Sequence, residues 1–251
     1  MRRAVRVWQR DFKVWSKYSR VSIVSNLGEP ILYILAIGFG LGHYVGQIEG
    51  VSYLMFLGPA ILSAAVMNSA SFETTFSSYT RLTVQKTFDG IIVTPVSAEE
   101  IIAGEVFWAA TKSLITASFM YIILIAFNLI ENPLFGLSVF PIVILTGIIF
   151  ASMGMLVTSL ASSYDFFAYY FTLILGPMFF FSGTFFPLSQ LPQWAFHLAW
   201  FLPLTHCVKI IRSILFGEFP PFLWGSVAWL AVVAALFFVL AIRQMKKRLI
   251  S

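Results

Sequence analysis

The sequence predicts an all-α integral membrane protein with six transmembrane helices, an N-terminal amphipathic helix lying in the membrane interface, and an outer re-entrant helical region between the fifth and sixth spans. Three observations carry that reading. Of 251 residues, 59% are hydrophobic and 11% charged, whereas soluble domains carry about 25% charged residues, so there are too few polar side chains to clothe a water-facing shell. Apolar stretches recur along the whole chain and leave no hydrophilic segment long enough for a second domain, so residues 1–251 read as one membrane domain. The basic residues behind the net charge of +5 gather beside the apolar stretches. That placement makes anionic lipid headgroups their expected partner and argues against nucleic acid.

In chain order, residues 1–26 come first. Val5, Trp8, Phe12 and Trp15 step by three and four, and so do Arg3, Arg6, Arg10, Lys13, Lys17 and Arg20. Both stripes fit one helix from Arg2 to Arg20, with a basic face opposite an aromatic one, as in a helix lying in an anionic leaflet. The chain is expected to turn through Asn26 to Pro30, with Pro30 in the first turn of a span from about Ile31 to Val45, because proline loses no needed N–H there. Gly38, Gly42 and Gly46 have the small-residue spacing that lets helices approach closely in lipid.

A second span is expected from about Tyr53 to Tyr79. The longest polar interruption follows it, residues 80–100, with Arg81, Lys86, Asp89, Glu99 and Glu100. The third span covers about Ile101 to Ile130 and the fourth about Leu137 to Leu160. The fifth, about Phe166 to Phe181, meets Gly176-Pro177, which should kink it or interrupt its hydrogen bonds. Residues 185–221 are apolar but broken by Pro187, Pro192, Pro203, Pro220 and Pro221, so they hold no clean run of about 20 residues. Short helices dipping into one face fit them better, and the last span follows from about Phe222 to Ile242. With six spans, the basic N-terminal segment, the 80–100 loop and the basic C-terminal segment all fall on one side. The positive-inside rule makes that side the cytoplasm.

Some chemistry is excluded. The chain has no G-x-x-x-x-G-K-[ST] run, so it has no P-loop of its own, and energy would have to come from another subunit. Cys207 is the single cysteine, which rules out an intrachain disulfide, and His43, His197 and His206 have no metal-site spacing. Within the spans the ionisable residues of note are Glu73, Glu105 and Lys112. An unpaired charge at that depth costs about 3 kcal/mol or more, so pairing or a wet cavity is expected. Either Glu73 pairs with Lys112 and faces a translocation path, or the pair is structural, or Lys112 meets Glu105 on its own helix.

The run SYTRLTVQKTFDGIIVTPVSAEEIIAGEVFWAATKS, Ser78 to Ser113, resembles the type-2 ABC exporter permeases, in particular the nodulation lipo-oligosaccharide exporter permeases. FFFSGTFFPLSQLPQW, Phe179 to Trp194, and PLTH, Pro203 to His206, resemble the same family's outer re-entrant region. The resemblance implies a non-catalytic transport subunit in the bacterial inner membrane, working as a homodimer with two ABC ATPase subunits. No cofactor is expected in this chain, since ATP and Mg would sit on the ATPase. The 80–100 loop would act as the coupling element, with Thr87, Phe88, Asp89, Thr94 and Pro95 touching the ATPase. Phe185, Phe186, Pro187, Trp194 and His206 would form an outer gate, or the aromatics serve as interfacial anchors. Lys209 and Arg212 either hold a cargo headgroup or form an exposed pair without function. The cargo implied is a lipo-oligosaccharide or similar glycolipid. Export of a drug or polysaccharide, a polytopic membrane enzyme and a passive channel remain as alternatives.

Overall fold

Where lipid replaces water, every backbone N–H and C=O has to bond within its own segment, and this apolar chain does so almost entirely as helix. The computed structural model describes residues 3–219 and 221–250. In chain order the helices are α1 (Ala4–Ser16), α2 (Ser19–Val45), α3 (Tyr53–Thr83), the short α4 (Thr87–Ile92), α5 (Ala98–Ala126), α6 (Pro133–Leu160), α7 (Phe166–Phe181), α8 (Gln193–Phe201), α9 (Pro203–Leu215) and α10 (Leu223–Ile250). A two-strand turn, Gln47–Ile48 against Val51–Ser52, joins α2 to α3.

The protein is an all-α integral membrane protein. Helices α2, α3, α5, α6 and α10 are long and apolar enough to cross a membrane, and a sixth crossing is available if α8 and α9, bent by 87°, count as one broken span. Helix α7 holds 16 residues, about 24 Å at 1.5 Å per residue, short of a hydrocarbon core about 30 Å thick. The expected fifth span is therefore the shortest apolar helix of the six.

Helix α3 is the centre of the bundle: its most apolar window is 83% buried, against 24% for α2 and 28% for α10. It packs on α5, α6 and α9, with α10 laid along α6. Lipid tails give helices little reason to associate, so close contact rests on small residues and interhelical hydrogen bonds. A Cβ on Gly147 would run into Ser113 and Ala110, and one on Gly154 into Thr74. Thr158 Oγ1 donates to the Thr74 carbonyl at 2.6 Å, and Ser69 pairs with Thr116 at 3.1 Å. Of the three glycines singled out in α2, Gly38 and Gly42 lie against Leu54 and Tyr53 of α3, while Gly46 (φ 72°) is a turn residue.

Several expectations need correction. No turn breaks residues 26–30: α2 runs on from Ser19 with Pro30 inside it. A wide π-helical stretch at Tyr33–Leu41 follows Pro30, and a second one, Tyr170–Leu175, runs over the Leu173 carbonyl that Pro177 leaves without its donor. Such local adjustment re-satisfies the carbonyls that a proline frees. The N-terminal helix stops at Ser16 rather than reaching Arg20, and Arg2 lies outside the described residues, as does Pro220. Its buried residues are Ala4, Val7, Asp11 and Trp15, while Val5 and Phe12 are exposed. The face is rotated from the expected aromatic stripe because Gly104 of α5 leaves a notch for the α1 backbone. A Cβ there would stand 2.6 Å from Val7 Cβ and 2.8 Å from the Ala4 carbonyl. The polar connection also shrinks to residues 84–97, because α3 continues to Thr83 and α5 starts at Ala98, fixed by a capping box between Ser97 and Glu100.

Candidate functional site

Glu73, Glu105 and Lys112 are all buried, and the structure brings them into one cluster with three residues the sequence reading did not place there, Arg10, Asp11 and Arg81. Lys112 Nζ stands 2.8 Å from Glu73 Oε2, while Trp108 Nε1 donates to Glu73 Oε1 at 3.0 Å. Arg81 bridges the acids, its Nη2 2.9 Å from Glu73 Oε1 and 2.6 Å from Glu105 Oε2. Glu105 also accepts from Ser78 Oγ at 2.7 Å and, through Oε1, from Arg10 Nη2 at 3.1 Å. Arg10 holds Asp11 Oδ1 at 2.5 Å. Lys112 makes its ion pair with Glu73 and none with Glu105.

Local backbone explains the convergence. Eight residues, Glu73 to Arg81, are about two and a fifth turns of α-helix, which would leave the two on different faces. The π-helical turn at Glu73–Ser77 absorbs one extra residue, about a quarter-turn, so Arg81 comes back above Glu73. On α5 the spacing of Glu105, Trp108 and Lys112, three and then four residues apart, puts them on one face. Helix α1 closes the cluster from outside, tied down by Trp8 Nε1 donating to Thr111 Oγ1 at 2.9 Å.

Three carboxylates meet three cations, so the cluster is neutral when all six are charged. Glu73 is 1% exposed and Glu105 0%, so within this subunit the pair is enclosed by protein. Its role in this geometry is to weld α1, the end of α3 and the start of α5 into one body. Asp11 lies on α1. Burial and then the Glu105 carboxylate push its carboxyl up to about 7, against the lowering effect of Arg81 and Arg10.

The segment between α3 and α5 projects from the same end of the bundle. Lys86, in the left-handed conformation at φ 53°, turns the chain into α4. Asp89, Thr94 and Pro95 are exposed and Thr87 half-buried, but Phe88 is 0% exposed. Phe88 is thus removed from the expected contact set: it plugs α4 into the hydrophobic core and cannot reach a partner.

The expected outer gate divides in two. Phe185 joins Tyr33, Phe179 and Phe180 in an aromatic cluster, with ring centroids 5.1 Å (Phe179) to 6.4 Å (Tyr33) from its own. With Phe186 it lines an apolar groove of about 600 Å³ against Ile37, Leu41 and Val45 of α2. Pro187 is buried, and Trp194, 67% exposed, has its ring centroid 6.4 Å from that of Phe181. His206 is elsewhere, packed against Trp200 and Trp229, with Ser226 Oγ at 3.0 Å and the Trp200 carbonyl at 2.8 Å. Arg212 is half-buried rather than exposed. It donates to the carbonyls of Phe56 (3.2 Å) and Gly183 (2.7 Å) and stacks 3.7 Å above the Phe56 ring, strapping the turn after α7 onto α3.

The bundle, with a neutral charge cluster at one end and an apolar groove at the other, is that of a polytopic membrane protein. Residues 3–216 match the ABC-2 type transporter family, and the chain belongs to that family of membrane permeases. It is 38% identical to Nodulation protein J of Rhizobium meliloti (strain 1021) over 85% of this chain and 81% of the relative. It is 37% identical to Nodulation protein J of Bradyrhizobium diazoefficiens over 97% and 93%. A more distant relative is the inner membrane transport permease YadH of Escherichia coli (strain K12), 24% identical over 82% and 80%.

Proposed function

We propose that this permease works as a homodimer in the bacterial inner membrane, with the chain's two ends and residues 84–97 on the cytoplasmic side, and exports a lipo-oligosaccharide or similar amphipathic glycolipid. ATP and Mg are bound and hydrolysed on a separate ABC ATPase, and the subunit described here does no chemistry of its own.

The observation that carries this reading is α4. Its outer side and the turn that follows it, with Asp89, Val93, Thr94 and Pro95, are exposed, while Phe88 is seated in the core. A push on that surface passes through Phe88 to the base of α5, and the charge cluster makes α1, α3 and α5 move as a unit. Helices α2 and α7 are less buried and carry π-helical turns, so they are the compliant parts that open and close around the groove. The groove's aliphatic and aromatic lining suits an acyl tail, which gains about 0.8 kcal/mol per CH₂ removed from water. Such coupling requires two global states that ATP binding stabilises unequally.

The test is co-expression and purification of the chain with a candidate ABC ATPase of the same organism that binds wild type, comparing wild type with Asp89→Ala and Val93→Glu. The reading expects both variants to keep their fold and to lose ATPase association or cargo-stimulated turnover by about tenfold, the effect of about 1.4 kcal/mol at an interface. Unchanged association and turnover in both would remove α4 from the coupling role.

A further inference from the structure

Beside the charge cluster lies a second opening, of about 430 Å³, between α1, the end of α3 and the segment leading into α4. Its polar lining includes Arg10, Asp11, Thr80 and Arg81, and its rim includes Val14 and Tyr18, 50% and 46% exposed. Two side-chain atoms of the lining residues have no hydrogen-bond partner although they are enclosed, Arg10 Nη1 and Asp11 Oδ2. An unpaired buried donor or acceptor loses about 1–3 kcal/mol of stability, so an arrangement that leaves one of each on adjacent residues invites a group that satisfies them.

We propose that this opening holds the phosphate of an anionic glycerophospholipid from the leaflet on which α1 lies, with Arg10 turning from Asp11 to the phosphate as the lipid enters. Arg10 is the member of the cluster with room to turn, its side chain 28% exposed against 13% for Arg81 and 9% for Lys112. Its fork of donors matches a phosphate better than a single carboxylate oxygen. The polar floor takes the headgroup, and the exposed Val14 and Tyr18 offer apolar surface to the start of the acyl chains, which a free phosphate could not use.

The charge count then sets a proton linkage. Asp11 faces Arg10 on its own helix, Glu105 on α5, Arg81 on α3, and Tyr18 just past the end of α1. Once Arg10 leaves for the phosphate, Asp11 has Glu105 beside it and less cation to offset the repulsion. It takes a proton from solvent, and its carboxyl, ordinarily acidic, already sits at about 7. The bound lipid therefore arrives with about one proton, and affinity falls as pH rises past that value. The inference is independent of cargo and ATPase, needing only that the chain is embedded in lipid.

The experiment uses the full chain in phosphatidylcholine nanodiscs containing phosphatidylglycerol as the minor lipid, since its phosphodiester keeps one charge throughout the range. Lipid retained after detergent exchange is quantified by mass spectrometry. Wild type should retain about tenfold more phosphatidylglycerol at about pH 6 than at about pH 8, the ratio of protonated Asp11 at the two values. Asp11→Asn should retain it equally at both. Gln85→Glu, an exposed position on the same wall, should lower retention at the acid pH with unfolding temperature unchanged. Retention no greater than for phosphatidylcholine, retention by wild type that ignores pH, or displacement by millimolar glycerol phosphate or inorganic phosphate would each overturn the proposal.

Discussion

Removing Arg81 is the sharpest test of the charge cluster. Arg81→Ala takes away the bridge between Glu73 and Glu105, together with its bond to Ser78. Breaking a buried ion pair by deleting one partner destabilises by about 3–5 kcal/mol. Two carboxylates are affected, but each keeps a second cation: Glu73 has Lys112 at 2.8 Å and Glu105 has Arg10 at 3.1 Å. The expected loss is therefore that of about one pair, ~4 kcal/mol, rather than twice that. At roughly 2–4 °C per kcal/mol for a chain of this size, the unfolding temperature should fall by about 10 °C. Arg81→Lys keeps the charge but cannot reach both carboxylates, and should recover about half of the loss. A native reporter is available in Cys207, the single cysteine, which is 0% exposed and becomes reactive to a thiol-sensitive dye only as the bundle opens. A fall of less than about 2 °C for Arg81→Ala would give the pairs the worth of surface ones and remove the cluster as the joint between α1, α3 and α5.

The reciprocal exchange Glu73→Lys with Lys112→Glu should fail to restore stability lost in the single variants, because a lysine at 73 would face Arg81; full recovery in the same dye assay would mean that Arg81 does not contact position 73. Gly104→Val should displace α1, since even a Cβ at 104 would meet Val7 and the Ala4 carbonyl, and a cysteine placed at Val7 should pass from unreactive to labelled. For Asp11, whose carboxyl is raised in the fold, stability is greatest below the ordinary carboxylate range and is lost as pH climbs through about 7. Wild type should therefore unfold at lower temperature at about pH 8 than at about pH 6, with the slope absent in Asp11→Asn. Arg212→Lys, unable to serve the Phe56 and Gly183 carbonyls together, should loosen residues 182–187, read as faster amide exchange there with little change in the α3–α5–α6 core.

Much of the fold is legible in the sequence because hydropathy in a membrane chain reports burial in lipid directly. The second, third, fourth and last spans end within a few residues of α3, α5, α6 and α10, though α10 continues as helix past Ile242. Prolines mislead in both directions. Pro30 does not start a helix, since α2 already runs through it from Ser19, whereas Pro203 does mark the 87° bend between α8 and α9. The start of α5 is written in Ser97 and Glu100, three residues apart, which shortens the polar connection to fewer residues than its composition suggests.

The candidate site is half legible. Glu73, Glu105 and Lys112 stand out as charges at membrane depth. Arg81 does not, because a π-helical turn shifts its face in a way no α-helical count reveals. Arg10 and Asp11 hide in a stripe that reads as basic and outward. The one local signal is Asp11 itself, an acid among six cations. Phe88 and Asp89 are adjacent in sequence and opposite in role, one anchoring α4 and one exposed, and only the packing separates them.

The placement of α4 is the point on which the transport reading turns. Val93 is 85% exposed, so a cysteine there, in a chain with Cys207→Ser, can be labelled without unfolding anything. A membrane-impermeant maleimide should leave it untouched in intact cells and modify it fully in inside-out vesicles. Full labelling from outside intact cells, with none in the inverted vesicles, would put α4 on the side of the membrane where no ATPase could reach it.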